Sequence, residues 1–295
     1  MSRIPVYATD WLNERFPFDA AARNGLVEQA CLRALDDQKV LHLVDIGAGN
    51  GANPRYFLDR LSQNQSWTMV ELDPLLGKAA IQELAAHGPR LGYKSSFLSD
   101  AELVLSKAEK TVHIRSICGS LLELDSHVDL NQTDLVLANA VFDLFSEEQF
   151  VHFCQKLLRH HTSFLSTLNY IGMSLSPNEA DDKKIIALYE SHMQRLQAFG
   201  RAMGTDGPAF IENWLATKTG KVVVGESIWG IGTEAEEMHR YLLGFMEEAI
   251  PELPLPAEQL ADFRHWLDRK RQLSANQNLH ISVNHKDIFF LPTTQ

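Results

Sequence analysis

Apolar residues at helix spacing and apolar residues in short unbroken runs alternate along most of this chain. Within residues 1–37, Trp11, Leu12 and Phe16, and then Leu26, Val27, Ala30, Cys31 and Leu35, recur at helical intervals, which predicts amphipathic helices. The run Val40–Ile46 is too short for a helix and is followed by glycines, so it reads as a buried parallel strand. A helix over Asn53–Leu61 and a strand over Trp67–Leu72 come next. Asp73 as N-cap and Pro74 at the first position open a helix that Gly88 and Pro89 end. A further helix is expected over Asp100–Lys110. Strands follow at Thr111–Ile117, Thr133–Ala138 and Ser163–Tyr170, the last two separated by a helix over Ser146–His160. Ser146 is that helix's N-cap, with Gln149 at the capping-box position. Strands and helices in alternation predict an α/β fold with a doubly wound, mostly parallel sheet.

Beyond residue 170 the pattern becomes more helical. One long helix is expected over Asp181–Met203, with Ile185, Ile186, Tyr189, Met193, Leu196 and Phe199 on one face, and a shorter one over Pro208–Thr217. Lys221–Trp229 reads as a strand and Glu234–Ala249 as a helix. Pro251, Pro254 and Pro256 break the chain before a last helix, Ala257–Leu273. Leu279–His285 alternates apolar and polar residues, as a half-exposed strand does. The expected organisation is a single domain: an N-terminal helical cap over 1–37, a core over 38–170, a helical substrate cover over 171–220 between strands five and six, and completion of a seven-stranded sheet over 221–295.

Composition narrows the function classes. A net charge of −11 disfavours binding to a nucleic-acid backbone, because the densest basic stretch, Arg264–Arg271, is an ordinary charged helix that also holds Asp268. No apolar run approaches the roughly 18 to 20 residues of a membrane span. Met1–Tyr7 lacks a secretory apolar region, and Asp10, Glu14 and Asp19 argue against a transit peptide, so the cytoplasm is the expected compartment. Cys31, Cys118 and Cys154 lack metal-binding spacing and read as small buried apolar side chains, and no metal is expected.

The chemistry centres on Gly47, Gly49 and Gly51 between strand and helix. Glycines permit positive φ and close approach of a ligand, and the following helix offers free N–H groups. Asp45 lies inside the strand, two residues before Gly47, and a buried carboxylate is costly unless paired or matched by a cation. Glu71 ends the next strand about 20 residues on, where an acid accepts from the two hydroxyls of an adenosine ribose. A nicotinamide dinucleotide also satisfies this spacing. Its pyrophosphate is opposed by Asp45, whereas the sulfonium and ammonium of S-adenosyl-L-methionine (SAM) are attracted.

Val44-Asp45-Ile46-Gly47-Ala48-Gly49-Asn50-Gly51 resembles motif I of the class I (Rossmann-like) SAM-dependent methyltransferases, and Val70-Glu71-Leu72-Asp73-Pro74 resembles their motif II. Asp134–Ala140 is similar to their strand-four motif, and the closing strands are similar to their sixth and reversed seventh. The resemblance implies SAM as cofactor, S-adenosyl-L-homocysteine (SAH) as product, and contacts from Asp45, Gly47, Gly49, Gly51, Glu71, Leu72 and Asn139. The family's third motif commonly carries an aspartate for the adenine amino group. Cys118-Gly119-Ser120 has serine there, leaving that contact to Ser120 or to backbone.

Methyl transfer is an in-line displacement that needs positioning more than a fixed catalytic residue. Asn139-Ala140-Val141-Phe142 lacks the prolines of the tetrad that methylates nucleobase amines, so that chemistry is disfavoured. Asp143 and, on the long helix, His192 are the candidate bases. Asn169, Tyr170, Arg195 and Trp229 are the candidate substrate contacts. Tyr7, Trp11, Arg15 and Arg23 are placed to reach the SAM carboxylate if the N-terminal helix closes, Arg15 being the one assigned to the cofactor. The expected partner is a small-molecule acceptor methylated at oxygen or nitrogen, with no DNA and no membrane; a homodimer stays open. A protein or RNA methyltransferase, and a non-catalytic SAM-binding protein of the same fold, stand as alternatives.

Overall fold

A computed structural model describes residues 9–197 and 200–293. In chain order its elements are α1 (Thr9–Ala22), α2 (Gly25–Leu35), β1 (Val40–Ile46), α3 (Ala52–Phe57), β2 (Asn64–Glu71), α4 (Pro74–His87), β3 (Lys94–Ser99), β4 (Glu102–Lys107), β5 (Lys110–Cys118), α5 (Leu124–His127), β6 (Leu135–Asn139), α6 (Glu147–Arg159) and β7 (Ser163–Ser176). There follow α7 (Asp182–Met193), the two-residue strands β8 (Leu196–Gln197) and β9 (Gly200–Arg201), α8 (Gly207–Ala216), β10 (Gly220–Ile231), α9 (Glu236–Ala249), α10 (Ala257–Ala275) and β11 (His280–Pro292). Tyr7 and Phe199 lie outside the described residues.

The main sheet runs β10-β11-β7-β6-β1-β2-β5-β4-β3. Its centre is parallel: β1 pairs with β2 and β6, β2 with β5, and β6 with β7. The chain therefore winds outward from β1 in one direction and returns to its other side through β6, which makes β1 the topological switch point where ligands of such sheets bind. β11 enters antiparallel between β7 and β10, as the reversed last strand predicted.

Local chemistry sets the boundaries. Asp73 accepts from the Leu75 N–H at 2.8 Å and Pro74 opens α4, while Ser146 accepts from the Gln149 N–H at 3.2 Å and opens α6. Leu135, Val136, Leu137 and Ala138 of β6 are all buried, since α-helices cover both faces of the sheet. Each such aliphatic side chain contributes about 1.5–3 kcal/mol on burial.

Three expectations change. Residues 100–110 form strand, not helix: Leu103 and Leu105 alternate into the core beside Val112 and Ile114, and Ala108 turns the chain at φ 52°. That hairpin adds two antiparallel strands, giving nine in the sheet rather than seven. The long helix stops at Met193, and Leu196 and Arg201 pair across a short hairpin instead. β7 runs six residues past Tyr170 and pairs with β11 along its extension. These overlong strands carry a third apolar cluster, in which Trp11, Tyr170, Trp229, Leu242 and Trp266 pack outside the parallel core.

Candidate functional site

The turn after β1 takes positive φ at Gly47 (58°), Gly49 (54°) and Gly51 (80°). The Gly47 N–H donates to the Val70 carbonyl at 2.9 Å, tying the turn to β2. Glu71 completes it: one carboxylate oxygen accepts from the Gly49 N–H at 2.8 Å and the other from the Asp73 N–H at 3.1 Å. A side chain on Gly49 would meet Leu12 at 3.3 Å, because α1 lies across the turn.

Behind the turn is a buried polar network contributed by α1, the α1–α2 junction and α3. Asp45 is 1% exposed; one oxygen accepts from the Asn53 side chain at 2.7 Å and the other is buried with no partner among the described residues. Burial pushes its carboxyl up to about 7, against the pull of the Asn53 bond and of Arg23. Arg23 donates to Asn53 at 2.5 Å and stacks on Tyr56, 4.2 Å from its ring centre. Asp19, also buried, accepts from Arg15 at 3.0 Å and from Asn139 at 3.1 Å, and Asn139 in turn accepts from Thr167 at 3.0 Å. A cavity of about 40 Å³ remains between α1 and the turn, lined by Arg15, Asp19, Asp45, Gly47, Gly49 and Asn139 among others. That is roughly the share of one water.

A larger cavity of about 390 Å³ opens on the other side of Arg15. Trp11 of α1, Tyr170 of β7, Tyr189 of α7, Trp229 of β10 and Phe245 of α9 give it aromatic walls. Arg15 belongs to the lining of both cavities, with its guanidinium 4.9 Å from the Trp229 ring centre and 5.7 Å from that of Trp11. Ala140, just past β6, and Leu168, within β7, line it in the left-handed region at φ 55° each. Such strain persists only where surroundings hold it. The Asp287 carboxylate holds Leu168 through its N–H at 2.8 Å, and also accepts from Ser227 and from the Asn24 N–H.

Asp143, Tyr170, His192, Arg195 and Trp229, far apart in sequence, all line this cavity. Burial raises the Asp143 carboxyl, and one of its oxygens is buried without a partner among the described residues. His192 is not the solvated helix-surface residue its spacing suggests. It is buried, with Nε2 2.7 Å from Glu252 and Nδ1 3.1 Å from Arg195, so both ring nitrogens are engaged. Asn169 does not line either cavity: it donates to the Lys286 carbonyl at 2.8 Å and accepts from Ser166 at 2.7 Å, fastening β7 to β11. Gly51 also turns away from ligand space. A side chain there would meet Leu84 at 3.2 Å and Ala80 at 3.3 Å, so it serves close packing of α4. Leu72 is 42% exposed beside Glu71, and Ser120 caps the turn after β5 by accepting from the Leu122 N–H at 3.3 Å. Cys31 and Cys154 are buried, but Cys118, at the end of β5, is exposed.

Sequence reasoning missed Asp19, Asn53, His285 and Asp287. His285 ends the alternating stretch Leu279–His285 and Asp287 lies just beyond it, and both are buried in β11. The available signal was His285 and Asp287 sharing one face with apolar Val283.

No protein-family model matches the sequence, and no curated protein matches it. Among solved structures, the cyclopropane-fatty-acyl-phospholipid synthase-like protein from Lactobacillus casei is 11% identical, with a TM-score of 0.50 over 98% of this chain and 96% of that one. A SAM-dependent methyltransferase from Geobacter sulfurreducens in complex with SAH is also 11% identical, with a TM-score of 0.42 over 99% of this chain and 100% of that one. The fold is that of the class I methyltransferases. Phosphoethanolamine N-methyltransferase 2 of Haemonchus contortus, in complex with SAM, is 13% identical over 97% of this chain and 58% of that one, with a TM-score of 0.43. The two cavities lie beyond the carboxyl ends of β1 and β6 and against the middle of β7, at Leu168, Tyr170 and Met173. No helix among the described residues is long and apolar enough to cross a membrane.

Proposed function

We propose that this chain is a SAM-dependent methyltransferase whose acceptor is a small molecule held in the 390 Å³ cavity. The observation that carries the reading is Asp45: a buried carboxylate with one unpartnered oxygen, set beside a positive-φ glycine turn. Such an acid disfavours a pyrophosphate and favours a cationic ligand. Asp19 adds a second acid to the same small cavity.

The donor set fits SAM, which when bound supplies a methyl group on a sulfonium. Glu71, fixed by two backbone N–H groups, keeps lone pairs for ribose hydroxyls. Leu72 and Ser120 flank the place of the adenine ring. Gly47 and Gly49 let the cofactor approach the backbone, and Asn139, Asp19 and Arg15 surround its amino-acid end. Asp143, Tyr170, Arg195 and Trp229 surround the acceptor, which is oriented for in-line attack and shielded from water by α1 and α9. A cavity of about 390 Å³ with largely apolar and aromatic walls favours a small acceptor over a protein or RNA.

The test is calorimetric titration with SAH. Saturable binding is expected in the wild type, weakened about tenfold or more in Glu71→Ala and in Gly49→Val. Unaltered binding in both variants refutes the site.

A further inference from the structure

We infer that the methyl acceptor is a small, largely apolar carboxylic acid, bound with its carboxylate on Arg15 and converted to its methyl ester. This rests on the methyltransferase reading above and adds the substrate class.

Arg15 is anchored in an unusual way. Its Nε donates to both oxygens of Asp19, and its guanidinium carbon lies 4.9 Å from the Trp229 ring centre and 5.7 Å from that of Trp11. Among the described residues its terminal nitrogens have no hydrogen-bond partner, and the side chain is 14% exposed. Planar N–H donors held rigid at one end of a cavity match an oxyanion. Asp143 feels the charge of Arg15, but among the described residues no ion pair joins the two, and burial outweighs that pull and favours the uncharged carboxyl. Glu252 is engaged by His192, and Glu248 is exposed at the rim. Away from Arg15 the walls are Met173, Leu242, Phe245 and Val283, which suit an apolar body.

Two further observations make the carboxylate the attacking group and not merely an anchor. Arg15 lines both the cavity at the glycine turn and the acceptor cavity, so an anion on it sits at their junction. Among the described lining residues no histidine is a ready base, and the carboxylate of Glu248 is exposed to solvent. His192 is engaged at both nitrogens, and His285 is buried with its imidazole driven down to about 3. Asp143 has one oxygen walled in, and burial favours the protonated form of its carboxyl. An amine or hydroxyl acceptor must lose a proton; a carboxylate at neutral pH carries none. A carboxylate oxygen lone pair forms the new bond to the methyl carbon, the carbon–sulfur bond breaks with its electron pair going to sulfur, and the products are a neutral methyl ester and SAH.

The test uses 3-phenylpropanoate, its amide and 3-phenylpropylamine as probes of the SAH-loaded protein, read by calorimetry or ligand-observed NMR. The acid is expected to bind about tenfold or more tightly than the amide. Because Arg15 also borders the cofactor's amino-acid end, the variants are compared at SAH concentrations that saturate each of them: Arg15→Met is expected to erase that preference, and Arg15→Lys to retain part of it. With methyl-labelled SAM, label transferred to the acid is expected to be released as methanol by mild alkali. Preference for the amine, equal binding of acid and amide, an acid preference that survives Arg15→Met, or transferred label that resists alkali overturns the proposal. Failure of the wild type to bind SAH overturns instead the methyltransferase reading beneath it.

Discussion

Replacing Asp45 by Asn should make the ligand-free protein's stability less sensitive to pH, in a direction opposite to most acid substitutions. Burial moves the carboxyl from an ordinary 3.8 to about 7. A folded-state value above the unfolded one means that the native state holds its proton longer, so stability falls as pH rises between the two values. At about 1.4 kcal/mol per unit the full penalty is about 4 kcal/mol above pH 7, and roughly half of it is already present near pH 5.5. The asparagine keeps the acceptor for Asn53 and removes the charge. Its added N–H group costs about 1–3 kcal/mol if unpaired, but equally at every pH. The readout is therefore the stability gap between variant and wild type in urea unfolding, which should shift in the variant's favour by about 2 kcal/mol between pH 5.5 and pH 8. A gap that stays constant, or moves toward the wild type, refutes the claim that Asp45 is a destabilising acid kept for a cationic ligand.

Other outcomes follow from the same geometry. Asn169→Ala, which removes one hydrogen bond across the β7–β11 seam and one within β7, should cost about 1–3 kcal/mol of stability and leave SAH affinity unchanged, as chemical unfolding and calorimetry together would show. SAH should slow amide hydrogen exchange throughout α1, because only about 40 Å³ separates that helix from the turn and it must reseat around the cofactor. Unchanged exchange in α1 at saturating SAH would contradict the role given to Leu12 and Arg15 as its cover.

The parallel core was legible because buried strands and amphipathic helices write different periods into the chain. β1, β2, β5 and β6 fall close to where the apolar runs put them, β7 begins there and runs on to Ser176, and Asp73 and Ser146 cap the helices they were expected to cap. The β3–β4 hairpin was lost because Leu103 and Leu105 span too few residues to separate two periods. Glu71 and the glycine turn could be found because their chemistry is local: acid, turn and helix start are fixed by backbone connections between neighbouring strands. The acceptor cavity could be found only in part. Tyr170 and Trp229 close the apolar runs that the sequence shows for β7 and β10, although both strands continue past them, but Asp19 and Asp287 act across more than 100 residues, on Asn139 and Leu168 respectively, and no spacing rule reaches that far. Asn169, next to Tyr170, faces the opposite way for the elementary reason that adjacent strand residues do.

The most direct test of the central claim is a crystal structure of the protein saturated with SAH. The ribose hydroxyls should lie within hydrogen-bond distance of Glu71, the amino-acid end between Asp19, Asn139 and Arg15, and the sulfur should face the cavity lined by Tyr170 and Trp229. A structure in which SAH binds elsewhere, or in which the turn from Gly47 to Gly51 stays free of ligand at saturation, would contradict it.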